Sequence, residues 1–140
     1  MAFAVGNKYT DTITVTDQMV QDFARCTGDY NPIHMDEEFA KKTSFGRRIC
    51  HGLLTAGFIS RVLAMKLENE GIYLAQTLKF MKPVFIGDTV TVDVTITAYR
   101  EKSAIGVADT IVRNQNNDVV VKGEATIMLN TKVKKQRADA

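Results

Sequence analysis

The chain has no tryptophan, and only two cysteines, two prolines and two histidines among its 140 residues. Each scarcity excludes something. Cys26 and Cys50 are too few and too far apart for a metal or redox motif, so no metal is expected. They read as reduced thiols of a cytoplasmic protein. No apolar run approaches the length of a membrane span, so no membrane partner is expected. The first residues, MAFAVGNKYTD, carry neither a basic region nor a long apolar one, which is not the pattern of a signal peptide. Net charge is only +2, and Lys132, Lys134, Lys135 and Arg137 crowd near the C-terminal end. Without them the body is close to neutral, which argues against a broad nucleic-acid face. Residues 131–140 are expected to form a solvated, frayed basic tail.

What is present is an ordinary globular composition, 45% hydrophobic and 24% charged. Residues 1–130 fit one domain. A domain of this size buries roughly 70% of the surface of its unfolded chain and folds without disulfides or metal.

Tyr9–Val15 alternates weakly and predicts a strand. Thr16 reads as an N-cap, with Asp17 in the first turn, where the helix dipole favours a negative charge. Met19, Phe23 and Cys26 would share one face of that helix, and Gly28 would end it. Asp36–Lys42 reads as a short helix, acidic first and basic last. Residues 51–71 form the longest helical candidate, stopped by Gly71. Between Leu53 and Met65 it carries one charge, Arg61, with apolar side chains all round, so it should be buried on every side. Gly57 in its interior suggests a close neighbour. Four strands follow: 73–80, 89–99, 104–112 and 119–129, with turn-rich links such as Asn114–Asp118. Consecutive strands joined by short links pair antiparallel. The expected fold is α+β: a curled antiparallel sheet gripping one long buried central helix. Sheet edges paired between two copies would make a homodimer.

The stretch GDYNPIHMD, residues 28–36, sets an acid, Asp29, five residues before an imidazole, His34. Taken alone it fits two readings. One is a turn, with Asp29 making an Asx-turn before Asn31-Pro32. The other is an acid–base pair. Three features favour the second. The two histidines, His34 and His51, both flank the approach to the apolar helix. Pro32 fixes its own φ and biases Asn31 toward extended backbone, which would turn Asp29 and His34 toward one cleft. His51-Gly52 opens the helix, whose first free N–H groups form a site for negative charge. An acid–base pair beside an oxyanion donor suits chemistry next to a polarised carbonyl.

These residues resemble the MaoC-like (R)-specific enoyl-CoA hydratases of the hotdog-fold superfamily. GDYNPIH at 28–34 is similar to the family's hydratase motif. FGRRICHG at 45–52 is similar to its second motif, leading into the central helix. YLAQTLKFMKPVFIGDTV at 73–90 is similar to the strand and turn that follow. The resemblance covers roughly residues 8–129, with three motifs in order.

The resemblance implies a hotdog fold, a dimer that joins two sheets, and an acyl-CoA bound at the interface. Dimers in this superfamily can associate further. It implies Asp29 and His34 as the catalytic pair acting on one water, Asn31 as the residue that positions them, and Gly52 as the N–H donor to the thioester oxygen. Ser60 is implied as a polar residue near the pocket. Leu53, Ser60 and Leu63 are candidate liners for the acyl chain. No cofactor is implied, since coenzyme A is part of the substrate. Arg47-Arg48 admits two readings, a contact with coenzyme A phosphates and a solvated loop. The implied reaction is syn hydration of a trans-2-enoyl-CoA to an (R)-3-hydroxyacyl-CoA, and its reverse.

Rival readings within the same fold are a thioesterase, a dehydratase of the other hotdog type acting on acyl-carrier-protein substrates, and a non-catalytic acyl-CoA-binding protein. The first two usually need a carboxylate on the central helix, and none occurs there before Glu68. The third would not need Asp29 and His34 together. A MaoC-like site acting on carrier-protein substrates stays open.

Overall fold

A computed structural model of the chain describes residues 4–67 and 71–128. The basic tail at 131–140 lies outside the described residues. Strand β1 (Lys8–Thr14) leads into α1 (Asp17–Thr27). Thr16 Oγ1 accepts a hydrogen bond from the Met19 N–H at 3.2 Å, a cap worth about 1 kcal/mol. Gly28 closes the helix at φ +83°, where a side chain would be strained. The buried residues of α1 are Val20 and Ala24, one position on from the expected stripe. Met19 and Phe23 are half-buried and Cys26 is exposed. The smaller side chains make the close approach, and the larger ones sit at its margin.

Two short helices follow, α2 (Pro32–Met35) and α3 (Glu37–Lys41). The first was not anticipated. Pro32 stands at its first position, where a missing N–H costs nothing. Then comes α4 (Gly52–Met65), shorter than the expected span.

The sheet is built from β2 (Ile72–Gln76), β3 (Lys79–Phe80), β4 (Thr89–Arg100), β5 (Ile105–Arg113) and β6 (Val119–Met128), together with β1. Its order is β1-β4-β5-β6-β2, antiparallel throughout, with β3 also on β6. The rule of consecutive pairing holds for β4, β5 and β6. It fails before β4: β2 and β3 pair with β6, and β1 takes the other side of β4. The intervening segment leaves the sheet to bury Val84 and Asp88.

The strand expected at 73–80 is broken between β2 and β3. There the Thr77 carbonyl lies so close to Gly123 that a Cβ would stand 1.8 Å from its oxygen. The break is stitched to β6 by Thr77 N–H to the Glu124 carbonyl and by Glu124 N–H to Thr77 Oγ1, both 2.9 Å.

Alternation in β4 is realised as expected, with Val90, Val92, Val94 and Ile96 buried. A bulge between Ile96 and Ala98 then ends it, and Ala98 is exposed. Phe58, Ile59, Val62 and Leu63 of α4 join the same core. The expectation that α4 is buried on every side is corrected for the single chain. Leu53 is 61% and Met65 76% exposed, and Gly57, which has nothing within 4 Å of a Cβ, lies on the open side too. One copy of the sheet covers one face of the helix. Arg61 pairs with Asp11 on β1 at 2.9 Å. Among the described residues, no helix is long and apolar enough to cross a membrane.

The crossing at Gly123 gives a direct test. Gly123→Ala should lower the unfolding free energy by roughly 1–3 kcal/mol through overpacking. Urea melts measure this, and an unchanged midpoint would show that the crossing relaxes freely.

Candidate active site

Asn31 adopts φ −52°, ψ 128° and caps α2, its Oδ1 accepting from the Ile33 N–H at 3.2 Å. Asp29 Oδ1 accepts from the Asn31 N–H at 3.2 Å. The Asx-turn is therefore present, and it fixes the Asp29 carboxylate against the Asn31 main chain. The one-turn helix α2 then lifts His34 back toward it.

A second segment, residues 48–51, runs between this loop and residues 84–85. The Ile49 N–H donates to the Ile33 carbonyl at 3.2 Å and the Cys50 N–H to the Val84 carbonyl at 2.6 Å. His34 Nδ1 lies 2.8 Å from the Ile49 carbonyl. A carbonyl only accepts, so Nδ1 carries the proton and the neutral ring keeps its lone pair on Nε2. His51 Nε2 lies 3.0 Å from the Asp29 carbonyl, so by the same logic that ring is protonated at Nε2. The two imidazole rings lie 4.0 Å apart between centroids, tilted by 33°, and the Phe23 ring lies 4.6 Å from His51, tilted by 46°. One carboxylate oxygen of Asp29 and one nitrogen of each histidine fall within 4.8 Å of one another. That grouping is also compatible with a cation, although each histidine already gives one nitrogen to a main-chain carbonyl.

These groups line a cavity of about 480 Å³ with Gly52, Leu53, Phe80, Met81 and Val84 among its walls. Gly52 opens α4, and His51 makes no side-chain cap, so the first N–H groups of the helix keep free donors. The Phe80 ring rests against Gly52, where a Cβ would meet its edge at 2.7 Å. A side chain at this position would have to displace the ring.

Burial and the Ile49 carbonyl act oppositely on His34, and burial wins, setting its pKa below the ordinary 6.5. Burial also pushes the Cys50 thiol up, so it stays a thiol.

The remaining expected residues are spread more widely. Arg48 is committed: its Nε donates to the His34 carbonyl at 2.6 Å and its guanidinium pairs with Asp17 at 2.7 Å. That hydrogen bond holds the Asp17 carboxyl below its usual range. Arg47 lies over the Phe85 ring at 4.0 Å, beside Lys82 in a shallow groove that adjoins the main cavity. Leu53 faces the main cavity. Ser60 and Leu63 do not. They line a second cavity of about 240 Å³, walled also by Tyr73 and Ile127. The Tyr73 hydroxyl is bonded to Gln76, and burial raises its pKa to about 12. Sequence reasoning gave His51 no part of its own. The available signal was that it is one of only two histidines and that both flank the helix.

Because the folded state disfavours a proton on His34, stability should fall as pH drops through 6.5, where the unfolded chain binds that proton. The slope should end below the folded-state pKa. Urea melts between pH 5 and 8 would show it, and His34→Gln should flatten it; an equal slope in the variant would assign the effect elsewhere.

Residues 3–118 match the MaoC like domain family. The chain is 44% identical over 108 residues to an "(R)-specific enoyl-CoA hydratase" of Aeromonas caviae, covering 76% of this chain and 81% of that protein. It is 32% identical over 128 residues to a mitochondrial "3-hydroxyacyl-[acyl-carrier-protein] dehydratase" of Arabidopsis thaliana, covering 89% and 76%. The solved "(R)-hydratase from A. caviae involved in PHA biosynthesis" superposes with a TM-score of 0.87 at 39% identity, covering 90% of this chain and 96% of that one. A six-stranded antiparallel sheet carrying one apolar helix, with the GDYNPIH loop folded against that helix's first turn, is thus a hotdog arrangement, and the chain belongs to the MaoC-like domain family.

Proposed function

We propose that this protein is an (R)-specific enoyl-CoA hydratase, a hydro-lyase that adds water across short- to medium-chain trans-2-enoyl-CoA and runs the reverse dehydration. The observation that carries this is the approach of Asp29 and His34 within one cavity, beside the first turn of α4. The 44% identity to a named hydratase supports the same substrate class.

The chemistry follows from the groups. Water attacks C3 of the enoyl thioester and a C–O bond forms. Charge moves through C2 to the thioester oxygen, which the Gly52 N–H receives. One proton leaves the water and one reaches C2. Asp29 and His34 divide these two transfers, and Asn31 keeps Asp29 in register through its main-chain N–H. A positioned acid–base group contributes about 10²–10⁴-fold, and one oxyanion donor about 10²–10³-fold.

Arg47 and Lys82 stand by the groove next to the cavity and suit the phosphates of coenzyme A. Arg48 braces the loop instead. Leu53 lines the near cavity, and Ser60 and Leu63 line the smaller one, which suits an acyl chain of limited length. The carrier-protein reading keeps one specific support, the plant relative named for that substrate. Coenzyme A and carrier proteins present the same pantetheine arm, so the catalytic groups serve either.

The uncovered face of α4, with Leu53 and Met65, and the edge strand β2, with Ile72 and Leu74 each nearly half exposed, support a homodimer. The absence of a spanning helix among the described residues fits a cytoplasmic enzyme.

Hydration of crotonyl-CoA, followed by loss of enoyl-thioester absorbance, tests the reaction. Asp29→Asn should fold normally and lose at least about a hundredfold in rate. Wild-type inactivity on crotonyl-CoA, longer enoyl-CoA and carrier-protein thioesters, with binding intact, would leave a binding protein instead. Sedimentation velocity should return a mass near twice the 15.6 kDa chain; a monomer would remove the dimer.

A further inference from the structure

His51 is 2% exposed, yet it is neither a hydrophobic filler nor a surface ligand. Its ring touches two parts of the site and its main chain begins the third. Nε2 donates to the Asp29 carbonyl at 3.0 Å. The ring centroid lies 4.0 Å from that of His34. The residue itself immediately precedes Gly52 and starts α4, its carbonyl accepting from Leu54 and Thr55 N–H groups at 3.1 and 3.2 Å. We propose that His51 is a positioning residue for the hydration reaction: its Nε2–H to the Asp29 carbonyl and its ring contact with His34 hold the acid–base pair at a set distance from the helix N–H donors.

That role requires the ring in one tautomer. Asp29 offers a carbonyl, so the proton sits on Nε2. Nδ1 is then bare, buried and without a hydrogen-bond partner in the structure. Leaving a buried polar atom unpaired costs about 1–3 kcal/mol, and a purely packing role would be met by Phe or Leu without that cost. Retention of an imidazole here fits a residue needed for its donor. His34 takes the opposite tautomer, with its proton on Nδ1 toward the Ile49 carbonyl. The two rings thus present different nitrogens to the main chain, and only His34 keeps its free nitrogen for the reaction. His51 acts through Asp29, His34 and Gly52 rather than on the reacting atoms.

The kinetic part of the test rests on the hydratase reading, and the spectroscopic part does not. Glutamine places its amide N–H near the imidazole Nε2 position, asparagine places it near Nδ1, and phenylalanine keeps the ring without a donor. His51→Gln should therefore hold kcat within about tenfold of wild type, while His51→Asn and His51→Phe lose on the order of a hundredfold, within the range of a displaced acid–base group. KM for crotonyl-CoA should change by only a few-fold in all three, since the loss is in alignment of the reacting groups. Equal kcat in His51→Phe and His51→Gln, or a loss that falls in KM, would overturn the proposal. Long-range ¹H–¹⁵N correlation spectra of the wild-type protein at about pH 8 give an independent reading, because only two histidines contribute. Opposite tautomers, with one ring protonated at Nε2 and one at Nδ1, are expected, and His51→Gln should leave only the Nδ1–H set. A protein whose histidines both carry Nδ1–H would refute the Asp29 contact even if the enzyme were active. If no enoyl thioester is turned over, the function is wrong, and the spectra still decide whether His51 holds the loop.

Discussion

Two histidine-to-carbonyl hydrogen bonds tie together parts of the chain that would otherwise drift apart. His34 reaches forward to the Ile49 carbonyl, and His51 reaches back to the Asp29 carbonyl. The loop at 28–36 has no strand to hold it, and its one-turn helix α2 is too short to be stable alone. What holds the loop is segment 48–51, bonded to it on one side and to Val84 on the other. Arg48 adds a third tie through the His34 carbonyl and Asp17. The same bonds that give the loop its place also determine which nitrogen of each ring is bare. Rigidity and tautomer come from one set of contacts.

That arrangement explains why the doubly basic pair at 47–48 splits in function. Arg48 is largely buried and already engaged by two acceptors. Arg47 is exposed and held only over the face of Phe85. Neighbours in the sequence thus meet different environments, Arg47 at a bend beside Phe85 and Arg48 between the His34 carbonyl and Asp17. The geometry supports bracing for one and leaves the other beside the groove at the cavity's edge.

The apolar helix presents the complementary problem. Its inner face completes the core against β4, but its outer face keeps large apolar side chains in water. Two cavities lie on either side of the helix's length, one at its N-terminus with the titratable groups and a smaller one toward its C-terminal half with Ser60 and Leu63. The residues expected at a single site are therefore distributed along the helix rather than clustered at its start.

The features legible in the sequence are those set by near neighbours in the chain. Thr16 and Gly28 bound α1 through bonds within a few residues, Asp36 caps α3, and the alternation of Val90 to Ile96 marks which side of β4 is buried. The bias of Asn31 away from helical backbone was legible for the same reason, but Pro32 itself opens α2, so the step to His34 is helical rather than extended. The sequence alone also put Asp29, His34 and Gly52 forward as one set, through motif order and residue chemistry. What only the tertiary structure decided involves partners far apart in the chain. β3 pairs with β6 because Gly123 lets the Thr77 carbonyl in, which no local pattern encodes. One face of α4 stays open because a single sheet can cover only one side of a cylinder. His51 acquires its contacts because the fold brings a carbonyl 22 residues earlier in the chain within 3.0 Å of its ring. Local propensity is short-ranged, whereas burial, tautomer and pairing depend on whatever surface the fold brings opposite.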